Sequence, residues 1–201
     1  MGARCVVLDI GGVLEVTPQT GWMPRWEQRA GLAAGTVLGR LADVFLAGSL
    51  GTMSESEVIA MARACLDVSE EQLEDFWSLM WDEYLGTLNV ELFAWFRALP
   101  PRFRTGFLSN SFVGAREREQ ERYGFADVTE VIVYSHEVGL AKPDPRIYTL
   151  TCERLGVAPD EVVFLDDTPA AVEGARAAGW HGVLFRDTAQ AIAEVEAYLT
   201  P

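Results

Sequence analysis

The stretch from residue 5 to residue 14, CVVLDIGGVL, constrains the fold more than any other part of the chain. Three branched apolar residues lead directly into Asp9, and glycines at 11 and 12 then allow a sharp turn. A short apolar run bounded by glycine predicts a buried strand of a parallel sheet. Such a strand would deliver Asp9 to the sheet edge where open α/β sheets bind ligands. Taken alone, Asp9 has a simpler interpretation as a helix or turn cap.

Composition limits the class of protein. With 201 residues, 49% of them hydrophobic, the chain is long enough for one core with a small inserted unit. The formal net charge of -14 argues against binding to nucleic acid or anionic membranes, and no apolar run reaches the roughly 18 residues of a membrane span. Three widely spaced cysteines predict buried free thiols. Because the first strand begins at once, we expect no signal peptide and a cytoplasmic protein. Oligomeric state is not indicated.

From residue 16 to about residue 99 the pattern is helical. Ser54 with Glu57, and Ser69 with Gln72, fit the capping box, which predicts helices that begin near residues 55 and 70. The second of these helices carries an apolar stripe that predicts the core of a small bundle. Its members are Leu73, Phe76, Trp77, Met80, Trp81 and Tyr84.

From residue 100 onward, strands alternate with helices, which is typical of a parallel sheet with right-handed crossovers. We predict strands at 104–108, 131–134, 161–165 and 181–185, and helices at 112–123, 145–155, 170–178 and 188–199. The predicted fold class is therefore α/β, a Rossmann-like parallel sheet core with an inserted small α-helical cap domain. Residues 1–15 and 91–201 would form the core. Residues 16–90 would form the cap and lie over the strand ends as a lid.

Polar residues collect beside four of the predicted strand ends and loops: Asp9, Ser109 with Asn110, Lys142, and Asp166 with Asp167. Each alone has a structural explanation as a cap or a solvated charge, but together they are predicted to face one sheet edge. Three neighbouring carboxylates require a cation, and Mg²⁺ prefers carboxylate, carbonyl and water oxygens. A metal beside a carboxylate, a lysine and a hydroxyl can perform phosphoryl transfer with the aspartate as nucleophile.

The segments 9–14, 108–110, 139–148 and 164–167 with 173–179 resemble, in order and spacing, the four motifs of the haloacid dehalogenase superfamily. Most of its members are Mg²⁺-dependent phosphatases, and the helical insertion resembles the first cap type of the superfamily. The resemblance implies a small phosphorylated metabolite as substrate and a role for each matching residue. Asp9 would be nucleophile and metal ligand, Ser109 and Asn110 would contact the phosphoryl group, Lys142 would hold its charge, and Gly11 (through its backbone carbonyl), Asp166 and Asp167 would hold the metal.

Lys142 is the only lysine in the chain, which agrees with a need for a compact ammonium at that position. Position 11 departs from the phosphatase pattern, because the family places there a second aspartate that acts as general acid and base. General acid–base catalysis contributes a factor of about 10² to 10⁴. Three consequences remain open: slow turnover, a substitute acid such as His136 or Glu137, or restriction to substrates with acidic leaving groups.

Three functional hypotheses follow. The first is a phosphatase of small phosphomonoesters. The second is a binding or regulatory protein that keeps the fold and the metal site but has little turnover. The third is a metal-independent 2-haloacid dehalogenase. The Asp166-Asp167 pair disfavours this hypothesis, because the resemblance implies serine and asparagine at these positions in a dehalogenase.

The predicted cap gives little information about the substrate. Gln19, Trp22, Arg25 and Trp26 follow the first motif and are candidates for substrate contacts. Trp22 and Trp26 are four residues apart, and aromatic residues at helical spacing are more often packed in a core. The expected location of substrate specificity is therefore the cap, without an assigned residue.

Overall fold

The computed structural model describes residues 2–129 and 131–199 as a parallel sheet with helices on both faces and a helical unit above one edge. Its strands are β1 (Cys5–Leu8), β2 (Glu15–Val16), β3 (Thr87–Leu88), β4 (Arg104–Ser109), β5 (Val131–Tyr134), β6 (Val162–Asp166) and β7 (His181–Leu184). Its α-helices are α1 (Trp22–Arg29), α2 (Thr36–Ser49), α3 (Glu55–Leu66), α4 (Glu70–Leu85), α5 (Val90–Arg97), α6 (Ala115–Tyr123), α7 (Ser135–Val138), α8 (Pro145–Leu155), α9 (Pro169–Ala177) and α10 (Thr188–Leu199).

The main sheet has the order β5-β4-β1-β6-β7, and all its strand pairs are parallel. Strand β1 lies at its centre, with Leu8 beside Phe107 of β4 and Leu165 of β6. The chain order reverses at β1, so the carboxyl ends of β4, β1 and β6 form the crevice in which such sheets bind ligands. The predicted α/β fold with a Rossmann-like parallel sheet is confirmed.

Strand β1 is held from both faces. Because successive side chains of a strand point to opposite faces, Val6 and Leu8 join the cluster packed by α5 and α10, whereas Cys5 and Val7 join the cluster packed by α8 and α9. All four side chains are fully buried. Burial of each branched side chain contributes about 1.5–3 kcal/mol, so the strand that presents Asp9 is firmly anchored.

Helices α1 to α4, here called the helical insertion, surround a second hydrophobic cluster, which also contains Phe112, Val113 and Ala115 from the segment after β4. Both predicted capping boxes are present, and α3 and α4 begin at the residues that these boxes indicate. The predicted apolar stripe of α4 packs in this cluster, where the Phe76 ring lies 5.2 Å from Trp22 and 4.8 Å from Trp26 between ring centroids. The packing interpretation of the two tryptophans is therefore confirmed.

Two features fix the helical insertion beside the sheet. Strands β2 and β3 pair antiparallel and so join the two ends of the insertion. Beyond them, the Val113 amide donates a hydrogen bond to the Gly48 carbonyl (3.2 Å), and the Ser135 hydroxyl donates one to the Ser49 carbonyl (2.8 Å). The insertion therefore contacts the loop after β4 and the start of α7, and the domain limits at 15/16 and 90/91 stay a prediction.

The element bounds differ from the predicted ones at a few places. Helix α6 begins at Ala115, three residues later than predicted, and the short elements β2, β3 and α7 were not predicted. Two-residue strands show no alternation, and a single helical turn shows no period, so neither leaves a pattern in the sequence. Cys5 and Cys152 are buried free thiols, and Cys65 is half-buried. Within the part of the chain that the structure describes, no helix has both the length and the apolar character to cross a bilayer.

Candidate active site

The three strands at the centre of the sheet bring most of the predicted site residues together. Asp9 directly follows β1, Ser109 ends β4, and Asp166 ends β6 with Asp167 next to it. Carboxylate oxygens of Asp9, Asp166 and Asp167 lie within 4.8 Å of one another. Among residues 2–129 and 131–199 this is the only such group of potential metal ligands.

The Lys142 side chain enters the group from the loop between α7 and α8. Its ammonium lies 2.8 Å from Asp9 Oδ1 and 2.6 Å from Asp166 Oδ2, and it donates to the Leu108 carbonyl at 3.0 Å. An ammonium has three protons, and these three acceptors match them. Burial by itself lowers the pKa of Lys142, but the two carboxylates outweigh it and raise the pKa above its ordinary value. Lys142 is therefore a charged group although only 7% of it is exposed.

Asp9 keeps one oxygen for other partners. Its Oδ1 accepts hydrogen bonds from the Ile10 amide and from Lys142, both at 2.8 Å, whereas Oδ2 has no hydrogen bond among the described residues. Burial raises the pKa of Asp9 to about 7, against the opposing effect of Lys142 and with a further contribution from Asp166. A nearby cation would favour the ionised form.

The other two carboxylates are held by the residues that follow β6. The Thr168 amide donates to Asp166 Oδ1 at 2.7 Å, and the Thr168 hydroxyl donates to Asp167 Oδ1 at 3.2 Å. Burial, and then the charge of Asp166, raise the pKa of Asp167. With three carboxylates and one ammonium, the group carries two uncompensated negative charges when fully ionised.

The two glycines of the first motif have different roles. Gly12 has φ of +75°, and a Cβ at that position would lie 2.2 Å from Asp167 Oδ2, so both its backbone and the approach of Asp167 require glycine. Gly11 has no positive φ, and a Cβ there would have no atom within 4 Å. The fold therefore does not require glycine at position 11.

Asn110 contacts Lys142 through the backbone. Its Nδ2 donates to the Lys142 carbonyl at 2.9 Å, and its Oδ1 accepts from the Lys142 amide at 2.7 Å. Ser109 is buried and lies beside Tyr134 of β5. Asn110 thus positions the loop that carries Lys142, and contacts of Ser109 and Asn110 with a substrate stay predictions.

A cleft of about 210 Å³ opens over this group of side chains. Its lining comes from the sheet edge and the neighbouring loops: Asp9, Gly11, Asn110, Lys142, Pro143, Asp167, Thr168, Ala170 and Ala171. Asn110 and Lys142 are thus predicted substrate contacts that line it, whereas Ser109 and the candidates after the first motif do not. Trp22 and Trp26 pack inside the helical insertion, Arg25 donates to the Thr20 carbonyl at 2.8 Å, and Gln19 is exposed.

His136 and Glu137, the suggested substitute acids, have other partners. His136 Nδ1 lies 2.6 Å from the Ser111 hydroxyl, and burial lowers the pKa of its imidazole. Glu137 accepts from Arg116 Nη2 at 2.8 Å, and this hydrogen bond lowers its pKa. Neither residue lines the cleft.

Sequence reasoning missed two buried acids, Glu15 in β2 and Glu119 in α6, which we call the junction carboxylates. They are 1% and 0% exposed, and in each the Oε1 atom has no hydrogen-bond partner among the described residues. Glu119 Oε2 accepts from the Tyr134 hydroxyl. Burial is the main cause that raises the pKa of Glu15 to about 10 and that of Glu119 to about 7. A signal existed for Glu15, which directly follows the apolar pair Val13-Leu14, but none existed for Glu119 in its charged helix.

Thr168 is a further residue that was not assigned, although its position directly after Asp166-Asp167 could have indicated it.

A family model for haloacid dehalogenase-like hydrolases matches residues 82–179, a range that includes Ser109, Lys142 and Asp166. Residues 82–179, just under half of the chain, therefore match the haloacid dehalogenase-like family of hydrolases. The resemblance found in the sequence motifs is thereby confirmed.

Two curated relatives illustrate where the chain stands in the superfamily. It is 28% identical to bifunctional epoxide hydrolase 2 of Sus scrofa over 98% of this chain and 39% of that protein. It is 42% identical to phosphatase MT3486 of Mycobacterium tuberculosis over 32% of this chain and 30% of that protein. The matching region thus covers less than half of the length of each of these two relatives.

The fold also resembles solved structures of the superfamily. A HAD family enzyme from Bacteroides thetaiotaomicron, solved in complex with magnesium and inorganic phosphate, matches with a TM-score of 0.77 and 20% identity. The match covers 92% of this chain and 95% of that one. At this identity, the likeness supports the common fold.

Proposed function

We propose that this chain hydrolyses small phosphomonoesters in the presence of Mg²⁺, with Asp9 as the nucleophile. The observation that carries the proposal is the meeting of three carboxylates and one buried ammonium at the carboxyl edge of the sheet. We also propose that residues 16–90 act as a cap over this edge and that the protein works in the cytoplasm.

The donor set fits Mg²⁺. Asp9, Asp166 and Asp167 offer oxygens within 4.8 Å of one another, and their group lacks two positive charges. A hard divalent cation with oxygen ligands would supply both, with the Gly11 carbonyl as a fourth protein ligand. When bound, Mg²⁺ would neutralise charge on the phosphoryl oxygens and hold them in place.

The side chains of this chain account for the remaining steps. Asp9 attacks phosphorus with a carboxylate oxygen, the bond to the leaving oxygen breaks, and an acyl phosphate remains on Asp9. Water then attacks phosphorus, releases inorganic phosphate and restores the carboxylate. Lys142 favours the ionised form of Asp9, orients it, and would balance charge as the phosphoryl group transfers, while the Ser109 hydroxyl would donate to a phosphoryl oxygen.

The comparisons support this choice of reaction. One relative is named a phosphatase, and the Bacteroides structure holds magnesium together with inorganic phosphate. The Asp166-Asp167 pair disfavours the dehalogenase hypothesis, because paired carboxylates without a metal would repel an anionic 2-haloacid.

The test is phosphate release from 4-nitrophenyl phosphate by the purified chain with Mg²⁺ and with EDTA. We expect release that depends on Mg²⁺ and is abolished in Asp9→Asn, while Asp160→Asn, a change at an exposed aspartate, retains it. Release that survives Asp9→Asn would refute the role of the nucleophile. Halide release from 2-chloropropionate in EDTA would instead support a dehalogenase, and Mg²⁺ binding without turnover of any phosphate ester would support a regulatory protein.

A further inference from the structure

We infer that the substrate of this site has a leaving group whose conjugate acid is relatively strong. Acyl phosphates, enol or phenol phosphates and phosphoanhydrides belong to this class. This inference rests on the proposed phosphatase function: within the phosphomonoesters it narrows the substrate to esters of acidic hydroxyl groups, and it extends the same chemistry to phosphate anhydrides. The structure supports it because, among the described residues, no acid that lines the cleft is available to protonate a leaving group.

Gly11 is the first observation. It lines the cleft next to Asp9, its side of the cleft is open, and its backbone conformation suits any L-residue. An acidic side chain would fit there without strain. Glycine at this position is thus a feature of the chemistry of the cleft and not a demand of the fold.

The groups that do line the cleft are the second observation. Within the described residues its titratable members are Asp9, Lys142 and Asp167. Asp9 is the proposed nucleophile and Asp167 a proposed metal ligand. The protons of the Lys142 ammonium are directed to Asp9, Asp166 and the Leu108 carbonyl, so none is free for a leaving oxygen.

Acids outside the cleft are the third observation. The imidazole of His136 contacts Ser111, and Glu137 is paired with Arg116. Glu15 is buried outside the cleft lining, where it interacts with Glu119, Asp9 and Arg122. No residue of the helical insertion lines the cleft.

The chemistry that follows balances without a protein acid. Asp9 forms a bond to phosphorus, and the electron pair of the breaking bond leaves on the oxygen of the leaving group as an anion. That anion takes its proton from solvent after it departs. In the second step one water forms the new bond to phosphorus, the bond to Asp9 breaks, and the proton of that water passes to solvent or to the released phosphate. An anion departs unprotonated at a useful rate only when its conjugate acid is strong.

The experiment compares leaving groups on the wild-type chain with Mg²⁺. The probes are acetyl phosphate, a set of para-substituted phenyl phosphates of similar shape, and ethyl phosphate. We expect kcat/KM to fall steadily as the leaving group becomes more basic, by more than about 10² from 4-nitrophenyl phosphate to ethyl phosphate, the range that a general acid contributes.

The matched variants are Gly11→Asp, which adds an acid, and Gly11→Asn, which has nearly the same shape and cannot protonate a leaving group. The readout is the ratio of kcat/KM for 4-nitrophenyl phosphate to that for ethyl phosphate, so that a general loss of activity cancels. We expect Gly11→Asp to reduce this ratio at least about tenfold and Gly11→Asn to leave it unchanged.

The outcomes separate the two proposals. Turnover of none of the probes would overturn the phosphatase function itself. Turnover with no dependence on the leaving group, or an equal effect of both variants on the ratio, would overturn only the inference about the substrate class. A selective loss of ethyl phosphate turnover in Glu15→Gln would identify a hidden acid and would overturn the inference as well.

Discussion

The chain buries carboxylates in two regions and treats them in opposite ways. At the sheet edge, Asp9 and Asp166 share the Lys142 ammonium and accept further hydrogen bonds from the backbone. At the junction with the helical insertion, Glu15 and Glu119 each keep one oxygen that has no hydrogen-bond partner in the described part of the chain. Both regions are almost fully shielded from solvent.

The difference shows how the same chemical group serves two purposes. Burial raises the pKa of Asp9 to about 7, and Lys142 and the Ile10 amide oppose this rise, because a cation and hydrogen bonds stabilise the ionised form. Among the described residues no salt bridge is made to Glu15 or Glu119, and burial raises the pKa of Glu15 to about 10 and that of Glu119 to about 7. The sheet edge thus pairs its buried carboxylates with a buried cation, whereas the described part of the junction buries its carboxylates without an ion pair.

The strongest way to break this comparison is to remove the shared cation. In Lys142→Met, the side chain keeps much of its apolar volume, but Asp9 and Asp166 lose their common partner. Breaking a buried pair from one side costs about 3–5 kcal/mol, and we expect a loss of that size in the free energy of unfolding, measured by urea denaturation. Arg146→Met, which removes an arginine whose side chain is 72% exposed, is the control and should cost less than about 1 kcal/mol. A similar small cost for Lys142→Met would show that the pair is not needed for stability.

At the junction, removing a titratable carboxyl should raise the free energy of unfolding at high pH, whereas removing Lys142 from the sheet edge should lower it. The pKa of Glu119 is 4.5 in its ordinary state and about 7 in the fold. Between these values the carboxyl of Glu119 holds a proton in the folded chain that it has lost in the unfolded chain, so its contribution to stability falls as pH rises from 4.5 to 7 and is constant above. One pKa unit corresponds to about 1.36 kcal/mol, which gives a total of about 3 kcal/mol.

Glu119→Gln removes this titration. We therefore expect the variant to gain about 3 kcal/mol relative to the wild-type chain when urea unfolding is moved from pH 4 to pH 8. Glu117→Gln, an exposed neighbour in α6, should show no such gain and serves as the control. A difference between Glu119→Gln and the wild-type chain that does not change with pH would contradict the neutral state of Glu119.

The smallest expected effect sharpens the account of the sheet edge. Asn110→Ala removes two hydrogen bonds to the backbone of Lys142, each worth about 0.5–1.5 kcal/mol, so we expect a loss of about 1–3 kcal/mol in stability together with slower phosphate release. Asn110→Asp keeps the acceptor for the Lys142 amide, so its stability should lie between that of Asn110→Ala and that of the wild-type chain. An Asn110→Ala variant with full stability and a raised KM alone would instead favour a direct contact of Asn110 with substrate.

Much of this architecture could be predicted from the sequence. Strand β1 and the strands ending at Ser109 and Asp166 leave a clear apolar signal, and the order of the motifs brings their ends to one edge. The capping boxes at Ser54 and Ser69 depend on residues within one helical turn, so local sequence was sufficient.

The rest depends on contacts between distant parts of the chain. The two hydrogen bonds between Asn110 and the backbone of Lys142 join positions 32 residues apart, and no sequence spacing predicts them. Glu119 lies among charged residues of α6 and resembles a solvated helix face, yet it packs under Tyr134 of β5. The different demands on Gly11 and Gly12 also appear only when Asp167 is seen beside Gly12.

The single lysine gives this protein an internal chemical reporter. An acylating reagent that selects side-chain amines has one target in the chain, and that target is buried at the centre of the site. The rate at which Lys142 is acylated would therefore measure how often the site opens, read as the mass increment of the proteolytic peptide that contains Lys142, so that reaction at the α-amino group is not counted. A ligand that binds there would be detected by the slowing of that reaction, without any need for turnover.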